Sequence, residues 1–550
     1  MLFLADTMAQ TSTNVVKESG KLGVLTTISR VLGLLREITR TSLLGTGTLG
    51  EAFSAAYNTP NLFRKLLAEG AMSVAFIPTM KTYFVEGDKE KTHEFLSAVF
   101  TVFSIVLLLV VSLGIVTAFE ISNLYASLSP GSHAVSQDIN ETALLIKLMF
   151  PYLLLVGYAA FLQGILNASN IFVPSGIGPI LFNISFLLVP PLVVSFSGNA
   201  ARAMAIGVLV GGFLQAICQL PAVIKLGLHF SFINPVRAIK NPGMKRVLLL
   251  MAPTLVGIAA YEFNAFICTG LAYGVGAATS IQISLRLQEL ILGIFVVSVA
   301  TVLLPELTGH AASKNWESFV KQFSQGLSAI ILIAVPVSVF SIIERVDIVA
   351  VLFQGGKFDR PSVLNTASIF LMHSLGLVFI AVNRVLTPVF YAQKDAKQPM
   401  IAGIISFLTN TSIAWIFSRF MGGDGIAVAL SIASAVNTIL LLCMLNKKQI
   451  PGMNNALKAG GLYALKMLLY SIPAGFGAWG TAKFLHIIAD KSKNRFIFAG
   501  IPFLASAFVF IGIGVGMLLI TRDPVAQYII HAVKRKGRAS ISSETQDTIQ

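Results

Sequence analysis

Apolar runs of about twenty residues recur along almost the whole of this chain, and they constrain its fold more than any other feature. A run of that length crosses the hydrocarbon core of a bilayer as a helix, whereas a barrel strand would alternate polar and apolar residues. Only 12% of the 550 residues are charged and 55% are hydrophobic, so too little charge remains to cover a soluble protein of this size. We therefore predict an all-α polytopic membrane protein.

The apolar runs divide into fourteen predicted transmembrane spans. The first two are the most polar, and a long basic segment separates the sixth span from the seventh. The spans are expected at 21–44, 50–81, 94–119, 143–168, 174–197, 202–228, 247–274, 279–307, 318–343, 363–392, 399–420, 424–446, 460–487 and 495–521.

Charge is distributed unevenly between the predicted loops. Segment 225–246 carries five basic residues and no acidic one, whereas segment 120–141 carries three acidic residues and no Lys or Arg. The positive-inside rule places the basic side in the cytoplasm, so both termini are predicted to be cytoplasmic in a bacterial inner membrane. The net charge of +15 fits contact with anionic membrane lipids, and no nucleic acid is expected.

A weak internal repeat relates the two halves of the chain. The stretch around Pro78 (FIPTMKTYFVEGDKEKTHEFL) matches the one around Pro305 (LLPELTGHAASKNWESFVKQF), 227 residues later. Asn183 and Asn410 are separated by the same 227 residues. Chance matching among apolar sequences is the alternative explanation. An even number of spans per half makes the repeat parallel, which predicts two six-helix lobes with a substrate site between them.

This repeat predicts the domain organisation. Two spans lie beyond the repeat and form an appended helix pair. The predicted parts are a polar N-terminal segment (1–20), an N-lobe (21–228), a basic cytoplasmic loop (229–246), a C-lobe (247–446), the appended helix pair (447–521) and a cytoplasmic tail (522–550). The first twenty residues lack the basic and apolar regions of a cleaved signal peptide, and the sequence leaves open whether Met1 or Met8 is the start.

Four arginines inside the predicted spans are the strongest functional signal: Arg30, Arg36, Arg64 and Arg286. An arginine at the centre of a bilayer costs about 2.5–3.5 kcal/mol, so each must be paired or face water. The guanidinium binds two phosphate oxygens at once and stays charged. The four residues therefore predict a cationic cavity for an anionic, phosphorylated cargo.

Other polar residues of the spans have simpler explanations. Structural ion pairs, or side chains that reach the span ends, account for Arg40, Lys65 and Arg384. In the second span, Pro60 removes a backbone donor and Gly70 adds freedom, so this helix is expected to be loosened there.

An enzyme is not predicted, and no cofactor is expected. The seven histidines are scattered, so the sequence lacks the cluster of histidines or carboxylates that a membrane transferase would need. The three cysteines lie apart in apolar stretches and indicate neither a disulfide nor a metal site. A transporter alternative stays open at this point, a cation-coupled multidrug exporter. An exporter of cationic drugs would favour an acidic cavity, whereas this cluster is cationic.

Several long stretches, in the same order along residues 20–520, resemble one known family. They are SRVLGLLRE from Ser29, PNLFRKLLAEGAMSVAFIP from Pro60, ILNASNIFVPSGIGPILFNIS from Ile165, LFQGGKFD from Leu352 and RVLTPVFYAQKDAKQP from Arg384. With these residues the chain resembles the lipid II flippase family MurJ, also called MviN, of the multidrug/oligosaccharidyl-lipid/polysaccharide exporter superfamily.

The resemblance implies a cargo and a set of binding residues. The cargo would be lipid II, the undecaprenyl-pyrophosphate-linked peptidoglycan precursor, moved from the cytoplasmic to the periplasmic leaflet by alternating access for cell-wall synthesis and cell shape. The appended helices would form a groove for its lipid tail. The family's required arginines fall on Arg30, Arg36, Arg64 and Arg286, its polar and acidic cavity positions on Ser29, Asn61, Glu69 and Glu289, and two of its aspartates on Glu37 and Glu51.

The resemblance also has limits. A family lysine just before the Pro-Asn pair is Asn58 here, which reduces the cation count. Some relatives bind sodium between spans 7, 11 and 12, where Glu262 and Asn410 are the local candidates, but the aspartates expected at such a site are missing. Peptidoglycan synthases and divisome proteins are partners that only the resemblance suggests. A flippase for another polyprenyl-pyrophosphate-linked glycan stays open as an alternative.

Overall fold

A computed structural model describes residues 2–70, 72–128, 138–489 and 496–527. Within these ranges the chain forms helices and turns, and an isolated β-bridge joins Gly355 to Phe358. The predicted all-α membrane fold is therefore confirmed. The chain divides into two compact units, Met1–Thr279 with Gly355–Asp359, and Ser280–Gln354 with Arg360–Gln550.

The first unit contains the first twelve α-helices. In chain order they are α1 (Leu2–Leu44), α2 (Thr48–Arg64), α3 (Ile77–Glu86), α4 (Lys89–Val116), α5 (Ala118–Ser127), α6 (Ile139–Met149), α7 (Tyr152–Ala168), α8 (Val173–Ser197), α9 (Ala200–Ile217), α10 (Leu220–Lys225), α11 (Pro235–Lys240) and α12 (Pro242–Gly274). Helix α1 packs on α8, α8 on α9, and α2 on α6, while α12 packs on α2 and α5. These contacts place α12 with the first unit, although the sequence analysis drew its C-lobe from residue 247.

Large aromatic side chains fill the core of the first unit. Phe76 is fully buried, and its ring lies 5.9 Å from that of Phe95 and 5.5 Å from that of Phe161. Phe53 contacts Phe186 edge to face at 6.2 Å. Aromatic pairs of this geometry add to the free energy gained by burying their large apolar area.

The second predicted span is interrupted, as its proline and glycine suggested. Helix α2 continues through Pro60 to Arg64, and two π-helical segments follow, Lys65–Gly70 and Met72–Phe76. Helix α3 begins directly afterwards. Wider π-helical turns inside an α-helix are frequent at functional sites. The break therefore starts five residues after the proline rather than at it.

A five-residue turn from later in the chain, 355–359, belongs to the first unit and packs on the end of α1. The backbone N–H of Lys357 donates to the carbonyl of Ser42 at 2.8 Å. Gly356 has φ +57°, and a Cβ there would lie 2.3 Å from the Ser42 oxygen. Gly45 has φ +66°, and its Cβ would lie 2.5 Å from the Lys357 oxygen. The close approach therefore needs glycine on both sides.

The second unit contains the remaining nine α-helices of the described residues, except that Ala278 and Thr279, the first two residues of α13, belong to the first unit. They are α13 (Ala278–Ala312), α14 (Trp316–Ile343), α15 (Arg345–Phe353), α16 (Arg360–Ser374), α17 (Leu377–Ala392), α18 (Lys397–Met421), α19 (Gly423–Lys447), α20 (Met453–Ala489) and α21 (Ile501–Ile520), the last preceded by a π-helical turn, Phe496–Gly500. Helix α18 packs on α19, and α14 packs on both α17 and α20. Gly460 and Gly475 let α20 approach α14, because a Cβ would lie 2.7 Å from Leu327 and 2.4 Å from Ile343, respectively.

Each of the fourteen predicted spans coincides with one helix or with consecutive helices. Among the described residues, eight helical stretches are long and apolar enough to cross a membrane. The pair α16 and α17, bent by 41°, brings the number to nine if the two helices are counted as one span. The count of fourteen crossings stays a prediction.

Two predicted loops contain helices. Segment 120–141 includes most of α5 and the start of α6, and segment 229–246 includes α11 and the start of α12. The tail beyond residue 527 lies outside the described residues.

Candidate functional site

Arg36 lies on the face of α1 that packs against α8. Its Nη1 donates to Oδ1 of Asn183 at 3.1 Å. Its guanidinium carbon lies 5.7 Å from the ring centre of Phe182 and 5.5 Å from that of Phe186. Only 12% of its side chain is exposed. An amide and two aromatic faces thus stabilise this cation within the helix bundle.

Glu37 joins two arginines of α1. Its Oε1 accepts from Nη2 of Arg36 at 2.9 Å, and its Oε2 accepts from Nε of Arg40 at 2.8 Å. Nη1 of Arg40 donates to Ser54 of α2 at 2.8 Å. Its carboxylate thus bonds the neighbours one residue before and three residues after it on α1. Two guanidinium groups against one carboxylate leave this cluster with a net positive charge.

Ser29 and Arg30 differ in their surroundings, although they are adjacent in sequence. The amide nitrogen of Asn183 donates to the carbonyl oxygen of Ser29 at 3.1 Å and lies 3.4 Å from its hydroxyl. Arg30 is exposed and forms neither a hydrogen bond nor an ion pair with any residue that the structure describes. Its guanidinium is therefore accessible to an anion.

Asn61 and Arg64 form a pair at the end of α2. Nε of Arg64 donates to Oδ1 of Asn61 at 2.9 Å, while the amide nitrogen of Asn61 donates to the carbonyl of Tyr57 at 2.8 Å. Asn61 is buried, and Arg64 is partly exposed. The structure therefore brings together these two predicted residues, directly before the π-helical segments.

Three further positions of this span were singled out in the sequence: Asn58, Glu69 and Gly70. The side chain of Glu69 and the surroundings of Gly70 lie outside what the structure describes. Asn58, which replaces the family's lysine, donates to the hydroxyl of Thr269 at 3.4 Å.

Glu51 makes a structural contact rather than facing a cargo. Its carboxylate accepts from the backbone N–H groups of Ala278 and Thr279, at 2.6 and 3.0 Å, and only 4% of the residue is exposed. These N–H groups belong to the first turn of α13 and have no partner within that helix. Glu51 therefore caps α13 from 227 residues away.

In the second unit, Arg286 and Glu289 are three residues apart on α13 and form a local pair. Nη1 of Arg286 lies 2.9 Å from Oε2 of Glu289, and their side chains are 38% and 66% exposed. An exposed pair of this kind contributes little to stability, because water and ions screen it. Arg384 of α17 is exposed as well.

Of the two predicted sodium candidates, Glu262 is already paired with a cation, and a sodium role stays a prediction. The side chain of Glu262 is 4% exposed, and the ammonium group of Lys65 lies 3.4 Å from its carboxylate. This ammonium group occupies the position that a bound cation would take. Asn410 is buried in the second unit. Among the described residues, no group of three acidic, His or Cys side chains is placed to hold a metal ion.

Sequence reasoning missed the residues that position Arg36. Asn183 was noted only as a landmark of the repeat, and Phe182 and Phe186 were not singled out. An amide in an otherwise apolar span was the available signal, because a buried amide needs a partner. The aromatic faces could not be found this way, since phenylalanine is common in any membrane span.

Comparison with known proteins identifies the family of this chain. The family model "Lipid II flippase MurJ" matches residues 41–492. A relative described as a probable lipid II flippase MurJ, from Treponema pallidum (strain Nichols), is 38% identical over 533 residues, which cover 96% of this chain and 99% of the relative. The lipid II flippase MurJ of Burkholderia cenocepacia is 30% identical over 77% of this chain and 82% of its own length.

A solved structure agrees with these sequence matches. It is described as lipid II flippase MurJ in an inward closed conformation, and it aligns with a TM-score of 0.71 and 25% identity over 91% of this chain and 99% of that chain. The family resemblance read from the sequence is confirmed, and this chain belongs to the lipid II flippase MurJ family.

Proposed function

We propose that this protein flips lipid II from the cytoplasmic to the periplasmic leaflet of the inner membrane by alternating access. Beyond family membership, one observation carries the proposal: Arg36 is held nearly buried among apolar helices, with Arg30 exposed two turns away on the same helix. A cation retained inside a membrane protein is costly unless it is used or paired. A pyrophosphate headgroup is a cargo that such guanidinium groups bind well.

The headgroup of the cargo engages the arginines in different ways. Arg30 is accessible as it stands, whereas Arg36 must exchange its bond to Glu37 or Asn183 for a phosphate oxygen. Arg64 and Arg286 supply further guanidinium groups near their partners Asn61 and Glu289. Ser29, Glu37, Glu69 and Glu289 orient the arginines or bind the sugar and peptide part of lipid II.

The polyprenyl tail stays in an apolar environment along the appended helices α20 and α21. Large apolar side chains on both helices are exposed, including Phe476 at 71%, Phe484 at 64% and Phe508 at 75%. Inside a bilayer the hydrophobic effect adds little to such a contact, so the tail is held here by close van der Waals packing against these side chains. The tail therefore remains in the membrane while only the headgroup crosses.

Release follows a change of state that the cargo's charge promotes. A ligand shifts a conformational equilibrium only through its different affinities for the two states. Here the pyrophosphate neutralises cations that would otherwise repel one another. Movement of net charge across the membrane would make this step depend on the membrane potential, by about 2.3 kcal/mol per charge per 100 mV.

Orientation and partners complete the proposal. The basic segment 225–246 faces the cytoplasm, and both termini lie on that side. Peptidoglycan synthases or divisome proteins receive the flipped precursor on the periplasmic side. A cation-coupled drug exporter is disfavoured, because the cluster around Glu37 is net cationic and would repel cationic drugs. A different polyprenyl-linked glycan shares the pyrophosphate, and only the family distinguishes lipid II from it.

The test is complementation in a bacterium depleted of its own flippase, with lipid II accessible at the periplasmic face as the readout. The wild-type chain should restore accessibility, and Arg286→Ala should not. Arg419→Ala is the matched control, because this exposed arginine of the second unit lies over the ring of Trp415 and is outside the proposed site. Failure of the wild type despite normal membrane expression would redirect the search to other polyprenyl-linked glycans.

A further inference from the structure

A cavity of about 690 Å³ lies outside the arginine cluster, at the start of α4. One wall is formed by the first turns of α4, with Lys89, His93 and Ser97. The other wall is formed by α11 and the residues beside it, with Arg237 and Lys240. All of these residues belong to the first unit, and none of them has a part in the proposed flipping mechanism.

The two walls are fixed to each other by hydrogen bonds. The backbone N–H of Ser231 donates to Oγ of Ser97 at 3.1 Å, and that of Ile233 donates to Oγ1 of Thr101 at 3.0 Å. Ala238 anchors α11 because it is fully buried. The cavity is therefore a built feature of the fold rather than a gap beside a loose loop.

The cavity carries more positive than negative charge. Lys89, Arg237 and Lys240 line it together with Glu90 and Glu94. Arg237 forms an ion pair with Glu94 and so neutralises it. The whole segment 226–246 contains no acidic residue, which keeps the potential on this wall positive. Lysine and arginine in such a setting favour a phosphate group.

Exposed apolar side chains adjoin the cationic wall. Phe232 is 64% exposed, Val236 60% and Ile239 50%. Val236 and Ile239 are three residues apart on α11, as are Arg237 and Lys240, so each pair forms its own face. A short helix with adjacent basic and apolar faces is typical of the membrane interface. The position of α11 also fits the membrane interface. Helix α4 is one of the stretches able to span the bilayer, and the cavity beside α11 lies at the first turns of α4.

We infer that this cavity binds the headgroup of an anionic glycerophospholipid from the surrounding leaflet. The phosphate contacts Lys89 and Lys240, and the acyl chains lie along Phe232, Val236 and Ile239. An acidic protein segment could satisfy the cations, but it would leave these apolar side chains in water. A free phosphate would leave them exposed too. A lipid satisfies both parts of the surface at once.

The test uses the purified full-length protein in detergent micelles. Phosphatidylglycerol and phosphatidylcholine with identical acyl chains are titrated separately, and the bound lipid is counted by native mass spectrometry. The wild type should bind phosphatidylglycerol about 25-fold more tightly than phosphatidylcholine, since each of the two lysines contributes about a factor of five near anionic lipid. The double variant Lys89→Gln/Lys240→Gln should lose about 25-fold in phosphatidylglycerol affinity.

A charge-matched control is the double variant Lys321→Gln/Lys458→Gln. Both lysines are exposed near the starts of α14 and α20, on the same predicted side of the membrane. This control should keep the wild-type affinity. A second variant, Val236→Gln/Ile239→Gln, changes only exposed side chains and should also weaken lipid binding, because it removes the contact for the acyl chains.

Three results would overturn the inference. Equal binding of the two lipids would show that the cavity does not select an anionic headgroup. Equal losses in the cavity variant and the control variant would place the anionic lipid elsewhere. Displacement of phosphatidylglycerol by an equal concentration of soluble glycerol phosphate, with no effect of Val236→Gln/Ile239→Gln, would assign the cavity to a free anion.

Discussion

Asn183 holds Arg36: its amide oxygen accepts from Nη1 of the guanidinium at 3.1 Å, so α8 fixes a cation that α1 carries. The amide nitrogen of Asn183 donates to the carbonyl of Ser29, two turns earlier on α1. One neutral side chain thus sets both the approach of the two helices and the direction of the guanidinium. A neutral partner can be exchanged for a phosphate oxygen without leaving a charge unpaired.

The first prediction concerns this pair. Asn183→Ala should lower flipping about tenfold while the protein still reaches the membrane, because a hydrogen bond to a charged group contributes roughly 1.5–3 kcal/mol. Ser185→Ala is the control, since this buried serine of α8 donates to the carbonyl of Gly207 and does not contact Arg36. Periplasmic accessibility of lipid II in a flippase-depleted strain is the measurement. Equal losses in both variants would mean that α8 packing, not the position of Arg36, was disturbed.

The second prediction separates function from stability at Arg286. The pair with Glu289 is exposed, so Arg286→Ala should change the unfolding free energy by less than about 1 kcal/mol. Flipping should nevertheless be lost. Thermal unfolding in detergent, compared with Glu289→Gln, measures the first effect, and complementation measures the second. A large loss of stability in Arg286→Ala would assign this arginine a structural role instead.

The sequence predicted what depends on local composition. Long apolar runs located the fourteen predicted spans, each of which coincides with one helix or with consecutive helices. The short helices α5 and α11 were missed because they are too short and too polar to form an apolar run. The contact of Glu51 with Ala278 could not be foreseen, because 227 residues separate them and no spacing rule relates them. Likewise, the sequence does not show that Glu37 pairs with Arg36 and Arg40. That pairing depends on side-chain rotamers and on the hydrogen-bond partners that α2 and α8 provide for the two arginines.

The third prediction tests that long-range cap. Glu51→Gln should lower the free energy of unfolding by roughly 1–3 kcal/mol, because an amide cannot accept from both buried N–H groups with full carboxylate charge. Glu289→Gln offers the control, since this glutamate lies on the same helix α13 but is 66% exposed. Thermal unfolding at one pH in one detergent provides the comparison. Equal unfolding midpoints for Glu51→Gln and wild type would show that the two N–H groups find another acceptor.

The last prediction concerns Glu344, which follows the final residue of α14. Burial raises the pKa of Glu344 to about 7, and repulsion by Asp347 adds to this, while a hydrogen bond with Ser506 opposes it. Asp347 in turn pairs with His486 at 2.8 Å, and Arg360 lies close enough to attract it. The neutral carboxyl is therefore the form that the fold favours.

The sign of the pH dependence follows from that shift. An unfolded glutamate titrates near 4.5, so between that pH and about 7 the folded state binds more protons than the unfolded state. The free energy of unfolding should then decrease as the pH rises through this window, by up to about 1.4 kcal/mol per pH unit, and become level above it. Glu344→Gln should remove this decrease and be more stable than wild type at pH 8, because its side chain stays neutral. Glu317→Gln, an exposed glutamate on the same helix α14, should keep the wild-type slope. Unfolding curves between pH 5 and pH 8 are the measurement, and a slope that persists in Glu344→Gln would assign the titration to Asp347 instead.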